Sequence, residues 1–272
     1  MPSQLKAGLV IVGIIVVLGL AAPWIAPHPW DTVSIRTRFL PPSATYWLGT
    51  DDYGRDVLSR VLMGTRLSLM MGIAATAFSL ALGIPIGLIA GYFGGKVDEV
   101  LMRLADVLMA IPAIMLGLLV LAVTAPALWK TALAVGFVYS PPIARVARSV
   151  ALGLAAEDFI QAARARAESA TYVLFREILP NAWPALAVEA SLRVTYAILL
   201  GSALSFLGLG AQPPSSDWGL MIAEARPFID RAPWIALAPG FAMCLLVIGV
   251  NLVGDGLRER LDPRLAARVG KG

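Results

Sequence analysis

Runs of apolar residues long enough to cross a lipid bilayer dominate this sequence, and they leave the chain little choice of solvent. A membrane-crossing helix needs about 20 mostly apolar residues, and six stretches meet that need, near 7–26, 67–93, 105–125, 128–148, 184–208 and 234–254. With 58% hydrophobic residues, only 15% charged and a mean hydropathy of +0.76, the chain carries more apolar surface than a soluble domain hides. Its 25 glycines and 19 prolines fit a bundle, where neighbouring helices satisfy the backbone groups that such residues release. The expected fold class is all-α: a polytopic membrane helical bundle of six transmembrane helices.

The first stretch has one trait of a secretory signal, since Lys6 precedes an apolar core that ends in Ala21 and Ala22. That core is longer than a usual signal core and Pro23 follows directly, so an uncleaved anchor is expected. With the amino terminus in the cytoplasm, the inward segments hold Lys6, Lys96, Arg103, Arg145, Arg148, Arg164, Arg166, Arg176 and the basic tail from Arg258 to Lys271. An excess of Lys and Arg marks the cytoplasmic side, which favours both termini inside. Against this, the first outer loop carries Arg36, Arg38, Arg55, Arg60 and Arg66. The net charge of +4 does not point to nucleic acid, because the basic residues flank apolar stretches and form no dense soluble patch.

Between the first two spans lies a polar connector rich in proline, followed by 55–69, where Val57, Val61 and Leu62 alternate with Arg55, Ser59, Arg60 and Arg66. This reads as an amphipathic helix at the membrane surface before the second span. His28, the only histidine, is flanked by prolines with no clustered ligands and is given no role. Cys244, the only cysteine, excludes an internal disulfide and is read as packing. In the second span Gly83, Gly87 and Gly91 repeat at a spacing that lets helix backbones approach closely. Pro85 lies among these glycines, and Pro112, Pro141, Pro142 and Pro239 interrupt later spans, where each removes a helix hydrogen bond and permits a kink.

Two absences narrow the function classes. The only ionisable residues within the middle of a span are Glu189 and Arg193, too few for a proton relay or sodium site of a secondary carrier. The run Gly91-Tyr92-Phe93-Gly94-Gly95-Lys96-Val97 has the wrong spacing for a phosphate loop and lacks a following Ser or Thr. If ATP powers this chain, another subunit binds it. A channel or ion-coupled carrier, and a membrane scaffold or receptor, are the alternatives from other classes.

The segment 144–184 is too polar to cross and too regular for a loose loop. Its centre opens with Glu157 and Asp158, which suit a helix start, and Pro180 ends the second half after Val173, Leu174 and Ile178. Alanines at 162, 163 and 167 leave a narrow face that fits a groove on a partner; a solvated alanine-rich linker is the alternative. The run Phe159-Ile160-Gln161-Ala162-Ala163-Arg164-Ala165-Arg166-Ala167-Glu168-Ser169, followed by Ile178-Leu179-Pro180-Asn181, resembles the EAA loop of bacterial ABC importer permeases. Three positions depart from the family pattern: Gln161 stands for the usual Glu, Arg166 for an apolar residue and Ala167 for Gly. The absent glycine bears on the local turn, although alanine keeps the side chain small. The stretches 47–60, 90–98, 205–214 and 251–263 are similar to the second permease of the dipeptide, oligopeptide and nickel branch, so the likeness runs in register from Trp47 to Pro263.

The resemblance implies a type I ABC importer permease fold, with an amino-terminal helix and outer connector over 1–64, a core over 65–256 and a cytoplasmic tail over 257–272. It implies residence in the bacterial inner membrane and no catalysis in this chain. The expected partners are a homologous permease, two cytoplasmic ATPase subunits that bind ATP and Mg, an extracytoplasmic solute-binding protein and membrane lipid. By resemblance, ATPase coupling falls to Phe159, Gln161, Ala162, Ala163, Arg164, Ala165, Ala167, Glu168 and Ser169. The substrates of this branch include peptides, nickel chelates, glutathione-like compounds and opines. In the fifth span, Arg193 pairs by spacing with Glu189 four residues before it, in the favourable order. Glu189, Arg193 and Tyr196, with Leu200 on the same face, are also candidates to line the translocation path.

Overall fold

The computed structural model describes residues 3–261, so the expected tail falls beyond them from 262 onward. The helices are α1 (Ser3–Ile25), α2 (Val57–Phe93), α3 (Gly95–Ala110), α4 (Ala113–Leu121) and α5 (Leu128–Ala155). They continue with α6 (Asp158–Ala165), α7 (Ala170–Tyr172), a π-helical turn (Val173–Ile178), α8 (Leu179–Phe206), α9 (Trp218–Ala225) and α10 (Trp234–Leu261). Among the described residues there is no strand. Four segments are long and apolar enough to cross a membrane, namely α1, α2, Ala170–Phe206 and α10, and the bent pair of α3 and α4 makes a possible fifth. The stretch expected near 128–148 lies in α5, which carries Lys130, Arg145 and Arg148 and does not reach that apolarity.

Three expectations change. The kink permitted at Pro112 in the stretch 105–125 is a full break into two helices, with α3 and α4 meeting at 92°. Pro112 lies at the break, where its ring forbids the helical bond and leaves the preceding Ile111 extended at φ −88°, ψ 128°. The amphipathic segment 55–69 is no separate surface helix either, since α2 runs unbroken from Val57 and buries Ser59 and Arg60. Cys244 faces outward on α10 and does not pack inside the chain.

The spine of the bundle is α2 against α5. A methyl group added at Gly83, Gly87 or Gly91 would sit 2.5 Å from the Ser140 carbonyl oxygen, 2.2 Å from that of Ala144 and 2.7 Å from that of Arg148. Both series rise together in steps of four, so the two helices run parallel in backbone contact, the approach that the glycine spacing predicts. Two adjacent parallel helices need a connection that returns to the starting side, and α3 with α4 supplies it. Ion pairs Asp98–Arg148 and Asp106–Arg145 hold α3 to the carboxyl-terminal half of α5. A core of Met71, Ala75, Leu116, Val135, Leu200 and Leu204 fills the space between α2, α4, α5 and α8. On the other flank α1 lies antiparallel on α10, with Gly8 against the Val253 backbone and Gly249 against Ile11.

Beyond the α2 amino terminus, buried charge ties the connector to α9. Asp51, wholly buried, accepts from Arg55 Nε and Arg60 Nη1, both at 2.6 Å, on its Oδ2 atom. Its Oδ1 accepts from the backbone N–H groups of Tyr53 and Arg55, each at 2.9 Å. Glu224 of α9 receives the far ends of both arginines, at 3.2 Å and 3.0 Å. Burial, then the Asp51 and Glu224 charges, push the Asp52 carboxyl above the usual carboxylate value. Gly54, at φ +75°, shapes the loop that delivers these groups; a side chain there would meet the Ser34 carbonyl oxygen at 1.9 Å. Asp56 caps α2 by accepting from Ser59 N at 3.0 Å. Asp217 caps α9 in the same manner, and burial pushes its carboxyl up.

Candidate coupling surface and transmembrane polar cluster

The segment after α5 folds back as a short helix standing on the end of the bundle. Glu157 turns the chain in an extended conformation and α6 follows, with one side buried and the other free. Ile160 and Ala163 are fully buried against Leu88 of α2, Ala151 of α5 and Val173, Leu174 and Ile178. Phe159, Gln161, Ala162, Arg164 and Ala165 face outward. The Arg164 guanidinium lies over the Tyr92 ring at 4.7 Å, while Gln161 donates to the Ala155 carbonyl at 3.0 Å.

Ala163 is thus placed differently from the expectation. It does not belong to a free alanine face, because α6 uses it, with Ile160 three residues before, as its contact with the permease itself. The surface open to a partner comprises Phe159, Gln161, Ala162, Arg164 and Ala165, and continues through the exposed Ala167 and Ser169 beside half-buried Glu168.

The turn at the end of α6 explains what alanine does where glycine is usual. Glu168 N donates to the Ala163 carbonyl at 3.2 Å and Ala167 N to that of Arg164 at 2.9 Å, the paired bonds of a Schellman cap. The cap requires a left-handed residue, and Ala167 adopts φ +55°. A Cβ in that region is strained, so the turn is kept at a local cost. Ala167→Gly is expected to stabilise the loop by about 0.5–1 kcal/mol. Hydrogen exchange at the Glu168 amide should slow roughly threefold; an unchanged rate would show the turn to be unstrained. Ser169 then caps α7 by accepting from Tyr172 N at 3.2 Å, and the chain passes through the π-helical turn into α8.

In α8, Arg193 Nε donates to Glu189 Oε1 at 2.6 Å, and a second guanidinium nitrogen reaches the same oxygen. The expected pair is therefore formed. The guanidinium also lies 5.5 Å from the Tyr196 ring centre and 5.7 Å from that of Tyr139 on α5, and the two rings are 6.2 Å apart. Tyr139 was not singled out by the sequence, since its partner lies on another helix. Tyr196 is about half exposed, whereas Leu200 turns into the core and does not share that face. An ion pair whose aromatic neighbour opens to the outside of the chain is unsuited to lipid; a partner subunit or a watery cavity suits it.

No group of three or more His, Cys, Asp or Glu side chains that could hold a metal occurs among the described residues. Residues 83–267 match the family described as binding-protein-dependent transport system inner membrane component. The chain belongs to that family. Residues 6–42 also match the N-terminal TM domain of oligopeptide transport permease C, which places this family member in the peptide branch. The chain is 40% identical over 258 residues to the dipeptide transport system permease protein DppC of Alkalihalophilus pseudofirmus, covering 95% of this chain and 85% of that one. It is 42% identical over 224 residues to the glutathione transport system permease protein GsiD of Pectobacterium atrosepticum, covering 82% and 74%. Its fold is similar to that of a chain of the inward-facing MetNI methionine ABC transporter, with a TM-score of 0.63 at 18% identity, over 75% of this chain and 97% of that one. This permease is accordingly a multi-pass inner-membrane subunit of an ABC importer with the type I permease fold.

Proposed function

We propose that this permease forms half of the translocation path for peptides or a related small solute, and that the outward surface of α6 is where it is driven. Its full complement is a homologous permease, two cytoplasmic ATPase subunits that bind ATP and Mg, and an extracytoplasmic solute-binding protein. The observation that carries the reading is α6 itself: a short helix seated on the inner end of the α2–α5 spine, presenting Phe159, Gln161, Ala162, Arg164 and Ala165 to a partner. Closure of the ATPase dimer would move α6 and, through it, the spine. The relatives named for dipeptide and glutathione transport support a peptide-like solute.

In this reading α5 is a sixth span despite its charges, because a helix parallel to α2 along its length shares its depth in the membrane. Both termini lie in the cytoplasm, with 1–64 as anchor and outer connector, 65–256 as core and 257–272 as inner tail. A cysteine placed at Ser43 should react with an impermeant thiol reagent outside intact cells, and one at Ser169 only after the membrane is opened. The reverse pattern overturns the orientation. Purification from the native membrane should bring the ATPase subunits along with the permease; solute uptake without them would favour a channel or secondary carrier.

Glu189, Arg193 and Tyr196 are proposed to line the path and favour solutes bearing a negative group. Arg193→Gln should then change the ratio of acidic to neutral solutes transported at unchanged folded yield. Reduced yield with an unchanged ratio would assign the pair to folding alone.

A further inference from the structure

Arg66 is the last charged residue before a stretch, 67–95, that carries none. The membrane boundary on that side therefore falls near Arg66. Arg55 and Arg60 are neutralised by Asp51 and Glu224, whereas Arg66 is exposed and has no carboxylate within ion-pair distance among the described residues. It borders a cavity of about 480 Å³ whose other walls include Trp30, Met63, Leu67, Met70 and Gln212. Ser216 lines the same cavity, is 2% exposed, and its hydroxyl has no hydrogen-bond partner in the protein. A second cavity of about 380 Å³ shares Trp30 and Met63 and continues along Pro23, Ala26 and Pro27.

We propose that this paired cavity is a binding site for an anionic phospholipid, its phosphate on Arg66 and its acyl chains along Leu67 and Met70. An unpaired guanidinium at the rim supplies the phosphate contact, since charge-assisted bonds to phosphate are among the stronger ones available to it. The mostly apolar walls below it suit hydrocarbon and offer a soluble anion nothing. Trp30 stands where indole rings favour the boundary between headgroup and chain. The site requires only that the boundary pass near Arg66, not that the chain run in one direction. Its failure and the failure of the proposed orientation are therefore separate results.

The assembled importer in detergent, titrated with phosphatidylglycerol and followed by native mass spectrometry, should bind lipid at a saturable site. Arg66→Gln should weaken that binding about tenfold, and Arg66→Lys should largely keep it. Phosphatidylcholine should bind more weakly than phosphatidylglycerol, and soluble glycerol 3-phosphate should not compete. Brominated phosphatidylglycerol should quench a share of the tryptophan emission that disappears in Trp30→Phe. If Arg66→Gln yields no folded complex, Leu67→Trp, which fills the cavity and keeps the charge, should abolish binding in its place. Equal affinity of the parent and Arg66→Gln, or of the two lipids, would overturn the proposal. So would unchanged lipid binding with lost association of a solute-binding protein, which would make the cavity a protein docking site.

Discussion

Replacing Ala162 or Ala165 with tryptophan is expected to reduce ATP-driven uptake to background while the permease folds and inserts normally. Both side chains lie on the free surface of α6, and a close-packed groove on a partner has no slack for a ring of that size. Ala163 between them is the internal control. It is fully buried against Ile160, Val173 and Leu174, so Ala163→Trp should lower folded yield by overpacking, with a cost of about 1–3 kcal/mol or more. Uptake in proteoliposomes, solute-stimulated ATP hydrolysis and monodisperse yield would be measured together. Uptake at the parent's rate in Ala162→Trp and Ala165→Trp would remove α6 from the coupling surface. A well-folded Ala163→Trp would contradict its inward placement.

Arg60→Met is expected to cost roughly 3–5 kcal/mol of stability, the scale seen when one partner of a buried charge pair is removed. The substitution leaves Asp51, wholly buried, and the largely buried Glu224 with Arg55 as their sole cation in the cluster. It also removes the bond from Arg60 Nη2 to the Ser215 carbonyl at 3.0 Å. Thermal melting in detergent should show a lowered midpoint, and membrane yield should fall. The double variant Arg60→Met with Glu224→Leu should recover part of the loss, because it removes a stranded charge as well. A midpoint for Arg60→Met within about a degree of the parent would mean that the charges are solvated and the cluster contributes little.

The legibility of this chain followed the range of the interactions involved. Local signals carried well: the glycine spacing on α2 anticipated its close partner, Pro112 marked the break between α3 and α4, and the Glu189–Arg193 spacing anticipated an ion pair. The reading of 55–69 failed for a reason of distance. Arg55 and Arg60 looked like the wet side of a surface helix, yet their shared partner Glu224 stands 164 residues beyond Arg60, and no local pattern announces such a pairing. Tyr139 was missed for the same reason. The inward turn of Ala163 was within reach, since Ile160 and Ala163 share a face three residues apart; the alanine-rich composition obscured it. The arginines that spoiled the charge asymmetry of the outer loop are also accounted for in part, because Arg55 and Arg60 are neutralised where they lie.

The backbone contact between α2 and α5 has a mechanical consequence. Two rods that meet through glycines, with mostly short side chains such as Ala147 and Ala151 between them, have little give, so they transmit a push as a single strut instead of absorbing it in rotamer changes. At 37 residues, α2 is roughly 55 Å long. Its carboxyl-terminal end supports α6 through Leu88 and its amino-terminal end is fixed in the Asp51–Arg60–Glu224 clamp. A tilt imposed at one end would reappear at the other with little loss. Loosening the clamp would add compliance at the far end of the lever, so in the proposed importer a variant there should leave ATP hydrolysis by the ATPase subunits unchanged yet move less solute for each ATP consumed.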